Sequence, residues 1–393
     1  MTRLGDVAEI IRGVTFKTEQ LVGGQTEGAV VCLRTKNVQV ELDLSDVLYV
    51  PVETVKNPKQ FLREKDIVIS SANSWNLVGK CAWAGPVDRP TTIGGFICAM
   101  RVTSHTIDPR YLFRWFSTSE VQALVRSFGQ QTTNISNLNV QRTLDLDIPL
   151  PPISEQRRIA AILDQADELR AKRRRALTLL EELADAIFVD SFERGLTWPA
   201  APFARLLSVP LRNGVSPATR GTVDGEVLTL SAITRGRFDP SVAKFAKFER
   251  AYDESKTVRE GELLICRGNG NRDLVGRGEL ATISLPNTAF PDTMIAARLN
   301  DTLVDGAYIQ AVWHRPLIRR QIAAGARTTN GTFKVNQAVL DAIQVPVPPI
   351  AVQRKYSNRL GRLREAKASQ FAHLAKLDEL FASLQHRAFA GQL

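Results

Sequence analysis

IPLPPISEQRRIAAILDQADELRAKRRRALTLLEELADAIFVDSFERG, residues 148–195, is the stretch on which the reading of the whole chain depends. It begins stiffly at Pro149, Pro151 and Pro152, since proline fixes φ and biases the residue before it towards extended backbone. Ser154 is placed to cap the helix that follows, and Glu155 suits the positive end of its dipole. Apolar side chains then recur at spacings of three and four: Ile159, Ile162, Ala166 and Leu169, then Ala176, Leu180, Leu183 and Ile187, with Arg173 as the interruption. Arg194, Gly195 and Pro199 supply a stop. A helix of roughly 40 residues is about 60 Å long, and it cannot bury such a seam alone. It needs a partner.

That partner lies in the same chain, at VPVPPIAVQRKYSNRLGRLREAKASQFAHLAKLDELFASLQHRAFAG, residues 345–391. Pro346, Pro348, Pro349, Ile350, Gln353 and Arg354 match Pro149, Pro151, Pro152, Ile153, Gln156 and Arg157. The second seam runs through Tyr356, Leu360, Leu363, Leu374, Leu377, Phe381 and Leu384, with polar Lys367 and Gln370 near its middle. Polar residues at seam positions fix register at a cost in stability.

The repeat reaches beyond the helices. Val30–Thr35 (VVCLRT) aligns with Val227–Ala232 (VLTLSA), and Arg63–Ile69 (REKDIVI) with Arg259–Ile265 (REGELLI). Leu77–Lys80 aligns with Leu274–Arg277, Asp108 and Tyr111 with Asp305 and Tyr308, and Gln131–Asn134 with Arg327–Asn330. The chain is therefore one unit duplicated. It divides into globular domains at 1–147 and 196–344, each followed by a long helix, at 148–195 and 345–393.

Short β-branched runs at Ala29–Leu33, Asp66–Ser70 and Gly94–Val102 predict strands, and Asp108 before Pro109 predicts a capped helix through Tyr111 and Trp115. The second copy repeats the order at Gly225–Leu230, Glu262–Cys266, Met294–Leu299 and Asp305–Trp313. The chain begins with a short amphipathic segment after Met1. Strands and helices do not alternate strictly, so the expected class is α+β: two tandem domains, their long helices packed as an antiparallel coiled coil with pseudo-two-fold symmetry.

At 393 residues with a net charge of +10, the chain has room for several cores and suits a polyanionic partner. Four scattered cysteines (Cys32, Cys81, Cys98, Cys266) without CxxC spacing suit a reducing cytoplasm. No signal segment and no membrane-spanning run is expected. No P-loop is present, and the glycine pairs at Gly268–Gly270 and Gly276–Gly278 do not complete a dinucleotide fingerprint. His105, His314, His373 and His386 stand apart from other metal-ligand types, so no metal site and no catalytic residue is expected.

What remains is a set of polar, basic and aromatic loops at matched places. Ser71, Asn73, Trp75 and Asn76 follow one expected strand, and Arg267, Asn269, Asn271 and Arg272 follow its counterpart. A second matched pair is Gln131, Thr132, Thr133 and Asn134 with Arg327, Thr328 and Asn330, followed by Lys334. Arg34, Lys36, Asn37 and Arg235 flank the earlier strands. Amide and guanidinium groups pair with adenine and guanine edges, and short polar side chains suit phosphate oxygens. As ordinary turns these residues need no ligand; shared placement with divergent side chains favours two readers of two short sequences. Arg170–Arg175 is either a phosphate grip or a solvated helix face. Gly13 and Gly214 mark a tight turn near each domain's start.

The chain resembles the specificity subunits of type I restriction–modification enzymes. The resemblance rests on LGDVAEIIRG at Leu4–Gly13, LREKDIVIS at Leu62–Ser70, LVGK at Leu77–Lys80 and IPLPPISEQRRIAAIL at Ile148–Leu163, and more weakly on REGELLI, LVGR and VPVPPIAVQRK in the second copy. It implies two target-recognition domains, each reading half of an asymmetric bipartite site in double-stranded DNA, with the helices as spacer and docking surface. It further implies a non-catalytic chain that binds no cofactor, with S-adenosylmethionine on two partner methyltransferase subunits and motor–nuclease subunits completing the complex. The alternatives are a coiled-coil scaffold or DNA-binding protein of a related phage-defence system, or an enzyme with a dispersed nuclease site.

Overall fold

The computed structural model describes residues 1–131, 135–193, 197–329 and 331–393. The chain forms two compact units, one comprising Met1–Arg175 with Ala372–Leu393 and the other Ala176–Phe371. Each is an α+β domain carrying part of both long helices.

In the first unit a four-stranded antiparallel sheet runs in the order Ala8–Arg12, Ile97–Val102, Ile67–Ser70, Cys81–Trp83. The segment expected to be merely amphipathic is thus its edge strand, burying Ala8 and Ile11. A second sheet pairs Ala29–Leu33 antiparallel to Leu48–Pro51 and parallel to Thr91–Ile93. Asp108 caps the helix Pro109–Phe116 by accepting from the N–H groups of Arg110 (2.9 Å) and Tyr111 (3.1 Å).

The second unit repeats this plan. Its core sheet runs Arg212–Asn213, Met294–Ala297, Leu263–Cys266, Gly278–Leu280, and its second sheet gains a fourth strand at Thr257–Val258. Asp305 caps Gly306–Trp313 as Asp108 does its helix. Both units carry a left-handed turn before the central strand: Lys65 at φ 73° and Gly261 at φ 79°. A lysine there is strained where glycine is not. Lys65→Gly is therefore expected to stabilise the first unit by about 0.5–1 kcal/mol, after the added chain entropy of glycine is offset, as read by urea unfolding.

The long helices are Ile153–Phe192 and Ile350–Phe389, 40 residues each. The stop at Arg194–Gly195 lies outside the described residues. The helices run antiparallel in each unit, because partner numbers fall as helix numbers rise. In the first unit Arg158 donates to the Leu393 carbonyl (2.8 Å) and Arg170 to Asp378 (2.6 Å). In the second, Lys367 donates to Glu181 (2.7 Å) and Arg359 to Asp190 (3.1 Å).

On the C-terminal helix Tyr356, Leu360 and Phe381 are buried, and Leu363, Leu374, Leu377 and Leu384 are half-buried. The central helix differs from the expected seam. Ile159, Ala166 and Ile187 are buried, and Ile162 and Leu180 half-buried. Leu169 (51 % exposed) and Leu183 (45 %) face outwards, and Leu163 and Leu177 are buried instead. A continuous heptad through Ile159, Leu163, Ala166, Arg170, Arg173, Leu177, Leu180, Ala184 and Ile187 accounts for this. Two of its positions, Arg170 and Arg173, are half-buried arginines. Arg170 lies over the Phe381 ring at 4.2 Å, so its planar guanidinium serves at a position where leucine is usual.

Candidate nucleic-acid interface

The core strand Ile67–Ser70 is buried along its whole length, as an apolar run flanked by sheet on both sides should be. It leaves the core at Ser71 and at once joins a second, smaller ribbon. Ala72–Asn73 pairs with Ser136–Asn137, which pairs with Gln130–Gln131. The two loops picked out separately in the sequence are therefore one three-stranded sheet. In the second unit Gly268–Asn269, Thr332–Lys334 and Arg327–Thr329 form the same sheet in the same order. Thr132, Thr133, Asn134 and Asn330 lie outside the described residues. Gln131 has its place in the strand.

Side chains on these ribbons fall into two groups. Trp75, Asn76, Asn271, Arg272, Arg327, Thr328 and Lys334 are exposed, as is Arg235; Ser71, Asn73, Arg267 and Asn269 are half-buried. Several amide oxygens are spent on local turns. Asn73 accepts from Ser74 N–H (2.9 Å), Asn76 from Ser74 Oγ (2.7 Å), Asn269 from Asn271 N–H (2.8 Å) and Asn271 from Asp273 N–H (2.9 Å). Paired reading of adenine needs both the oxygen and the NH2. As placed, these asparagines offer donors, and Asn73 already gives one to Ser70 Oγ (3.2 Å). Arg267 donates to the Asp292 carbonyl (3.2 Å) and Arg272 leans towards Phe333, so both guanidinia are partly anchored.

The Arg34–Asn37 turn is held by contacts within its own loop. Asn37 is buried; its oxygen accepts from Arg34 N–H (2.7 Å), and its NH2 donates to the carbonyls of Asp43 (2.6 Å) and Asp46 (2.9 Å). It folds its own loop, and both ends of its amide are engaged there. Arg34 is paired with Asp46 at 2.9 Å and Lys36 with the same carboxylate, which damps both charges. Sequence reasoning missed that Lys80, just past the Trp75 loop, donates to Gln39 (2.7 Å) and ties this turn to the same region.

Arg170 and Arg174 both reach Asp378, and Lys172 reaches Glu168, so the basic run is engaged within the helix pair. Gly13 and Gly214 are structural. A Cβ on Gly13 would collide with the Gly94 and Ile93 carbonyls, and one on Gly214 with those of Pro291 and Phe290.

One buried acid in the second unit has no counterpart in the first. Glu279 accepts from Gln310 (2.6 Å) and lies 3.5 Å from His314 Nε2; burial pushes its carboxyl up to about 7. An acid whose folded pKa lies above its ordinary 4.5 holds its proton more tightly when folded. Stability therefore falls as pH rises between those values, and the loss is complete above them. Glu279→Gln is expected to raise unfolding stability by about 2 kcal/mol at pH 8 and to change little at pH 4. Urea midpoints at the two pH values check this.

Among the described residues no group of three or more His, Cys, Asp or Glu could hold a metal ion, and no helix is long and apolar enough to cross a membrane. Residues 1–179 match the family of the type I restriction modification DNA specificity domain. Over that stretch the chain is similar to the type I specificity subunits. The Type I restriction enzyme EcoKI specificity subunit of Escherichia coli K12 is 26 % identical over 410 residues, spanning 98 % of this chain and 87 % of that protein. The StySPI specificity subunit of Salmonella potsdam is 23 % identical with the same coverage. Among solved structures, one from work on complex assembly and conformational transition of the type I R-M system covers 100 % of this chain and 97 % of that one, with 16 % identity and a TM-score of 0.61. The type I system S subunit of M. genitalium covers 99 % and 95 %, with 14 % identity and a TM-score of 0.54. This chain shares the fold of these two. The family match extends to 179 and so includes the first part of the central helix as well as the first domain.

Proposed function

We propose that this chain is a specificity subunit that reads an asymmetric, bipartite target in double-stranded DNA through its two domains and carries two methyltransferase subunits on its helices. The observation that carries the reading is the pair of three-stranded ribbons, built alike and bearing different exposed side chains. A shared backbone with divergent side chains suits two readers of different half-sites. The net charge of +10 suits a polyanion, and a substantial share of affinity should come from phosphate contacts that weaken with salt.

The chain itself supplies recognition and no chemistry. S-adenosylmethionine belongs on the methyltransferase partners, and motor–nuclease subunits complete the restriction complex in the cytoplasm. Docking is supported by apolar side chains left outward on the helices: Leu169 and Leu380 in the first unit, Leu179, Leu183 and Phe371 in the second. A docking surface needs outward apolar side chains, and these are the ones the helices supply.

The deciding experiment is modified-base mapping of host DNA with and without this gene. Loss of methyladenine at one bipartite motif is the expected result; unchanged methylation in a strain expressing the partner subunits would sink the reading. Separately, Leu180→Glu or Leu377→Glu puts a charge between the helices and should abolish co-purification with the methyltransferase subunit while circular dichroism keeps its strand signal. Retained assembly would show that these positions do not hold the helix pair.

A further inference from the structure

The two ribbons share their backbone hydrogen bonds so closely that individual positions can be matched without relying on sequence alignment. In the first unit Ile97 N–H donates to the Gly94 carbonyl (2.9 Å), and the Phe96 carbonyl accepts from Ser71 (2.9 Å) and Ala72 (3.1 Å). In the second, Met294 donates to Pro291 (2.9 Å), and the Thr293 carbonyl accepts from Arg267 (2.8 Å). Thr293 therefore takes the place of Phe96. Likewise Leu77 donates to Ser74 (2.9 Å) and Leu274 to Asn271 (3.2 Å), so Arg272 takes the place of Trp75.

Phe96 is 66 % exposed and Trp75 54 %. Neither ring is needed to fold its turn, because the same backbone carries threonine and arginine in the second copy. The turn that presents Phe96 is also rigid. Gly13 packs against Gly94, whose N–H donates to the Leu33 carbonyl (2.9 Å), and the Phe96 carbonyl is tied to the strand that leads into the Trp75 loop. A fixed backbone presenting an aromatic ring to water is a recognition feature with little ordering cost.

We propose that Phe96 and Trp75 form an apolar reading head that packs against thymine 5-methyl groups in the first unit's half-site, while Thr293 and Arg272 give the second unit a polar one. Apolar side chains distinguish thymine by its methyl group in the major groove, and arginine distinguishes guanine by its two acceptors. The inference rests on the DNA-recognition reading above. It adds which base, and which side chains, in one half-site.

The test uses the assembled complex with its methyltransferase subunits and a duplex carrying the mapped motif. Each thymine of the motif is replaced singly by deoxyuridine, which removes only the methyl group. At one or more thymines of one half-site, the native complex should bind the deoxyuridine duplex about fourfold more weakly, the worth of one buried methyl. Phe96→Ala or Trp75→Ala should abolish that discrimination, and Phe96→Tyr should keep it. Because both rings are largely exposed, these variants leave the fold intact. Two results overturn the proposal alone: sequence-specific binding with no thymine effect in either half-site, or a thymine effect that survives both alanine variants. No sequence-specific binding at all overturns the DNA-recognition reading beneath it, and the proposal with it.

Discussion

Replacing Asp66 with alanine is expected to cost the first unit about 3–5 kcal/mol, because it leaves a buried guanidinium without its counter-charge. Asp66 and Arg101 are both buried, and the pair is bidentate: Arg101 Nε donates to Oδ1 (2.8 Å) and Nη2 to Oδ2 (2.6 Å). Asp66 also accepts from Arg63 N–H (2.8 Å), closing the turn that carries the strained Lys65. Arg101 reaches on to the carbonyls of Lys59 (3.1 Å) and Phe61 (2.9 Å), so it anchors the neighbouring segment to the sheet. Adding Arg101→Met to Asp66→Ala should recover part of the loss, since removing both charges is far less costly than stranding one. It should not recover all of it, because two carbonyls lose their donor. Chemical unfolding of the three variants checks the order. If Asp66→Ala costs less than 1 kcal/mol, water reaches Arg101 and the pair is not what fixes the turn. The second unit binds the equivalent carboxylate, Glu262, with two arginines, Arg212 and Arg298, so Glu262→Ala should be at least as damaging.

This pair also shows what was legible in the sequence. REKD and REGE were visible as a repeat, since a duplicated fold keeps the residues that close its turns. That their last acid is a buried ion-pair partner was not visible, because Arg101 is distant in the chain and unremarkable in type. The same limit governs the helices. Their length and pairing could be read from heptad spacing, but the register of the central helix could not. Ile162 with Leu163, Ala176 with Leu177 and Leu183 with Ala184 are adjacent apolar pairs, so either member fits a spacing of three or four. Only at Leu169 and Arg170 is the choice sharp, and there hydropathy favours the wrong residue. Arg170 enters the seam because Phe381 and Asp378 receive it, and that pairing is a property of the packed helices. The ribbon loops show a third case. Composition marked 71–76 and 130–134 as special, yet nothing in either stretch says that Ala72–Asn73 and Gln130–Gln131 both pair with Ser136–Asn137 in one sheet. Asn37 drew notice for the reason asparagine often does: it is a turn residue, and its buried amide is spent on closing that turn.

The glutamine shared by SEQ in the first copy and AVQ in the second carries the other large expectation. Gln156 is fully buried, its oxygen accepts from Asp108 N–H (2.8 Å), and its NH2 donates to the carbonyls of Thr106 (2.9 Å) and Pro151 (2.8 Å). Gln353 makes the same three bonds, to Asp305 N–H (2.8 Å), Leu303 (3.2 Å) and Pro348 (2.7 Å). Each clamp joins the first turn of a long helix to the loop that caps the domain's own helix. A tyrosine hydroxyl adds a second tie, from Tyr111 to Pro149 (2.9 Å) and from Tyr308 to Pro346 (2.7 Å). Gln156→Leu keeps the volume but strands one donor and two acceptors away from water, at about 1–3 kcal/mol for each group that stays dry. A total of about 3–5 kcal/mol is expected for the first unit. Gln156→Glu is no remedy, because a carboxylate would face two carbonyls without a hydrogen to share, and asparagine falls one methylene short. Hydrogen exchange separates this local role from general destabilisation. Gln156→Leu should speed exchange at Asp108 and through the first turn of the central helix, while amides around Gln353 in the second unit keep their protection. If both units lost protection equally, the clamp would not be a local device. If neither did, water would have replaced the missing amide, and Tyr111 would be holding the helix to the domain.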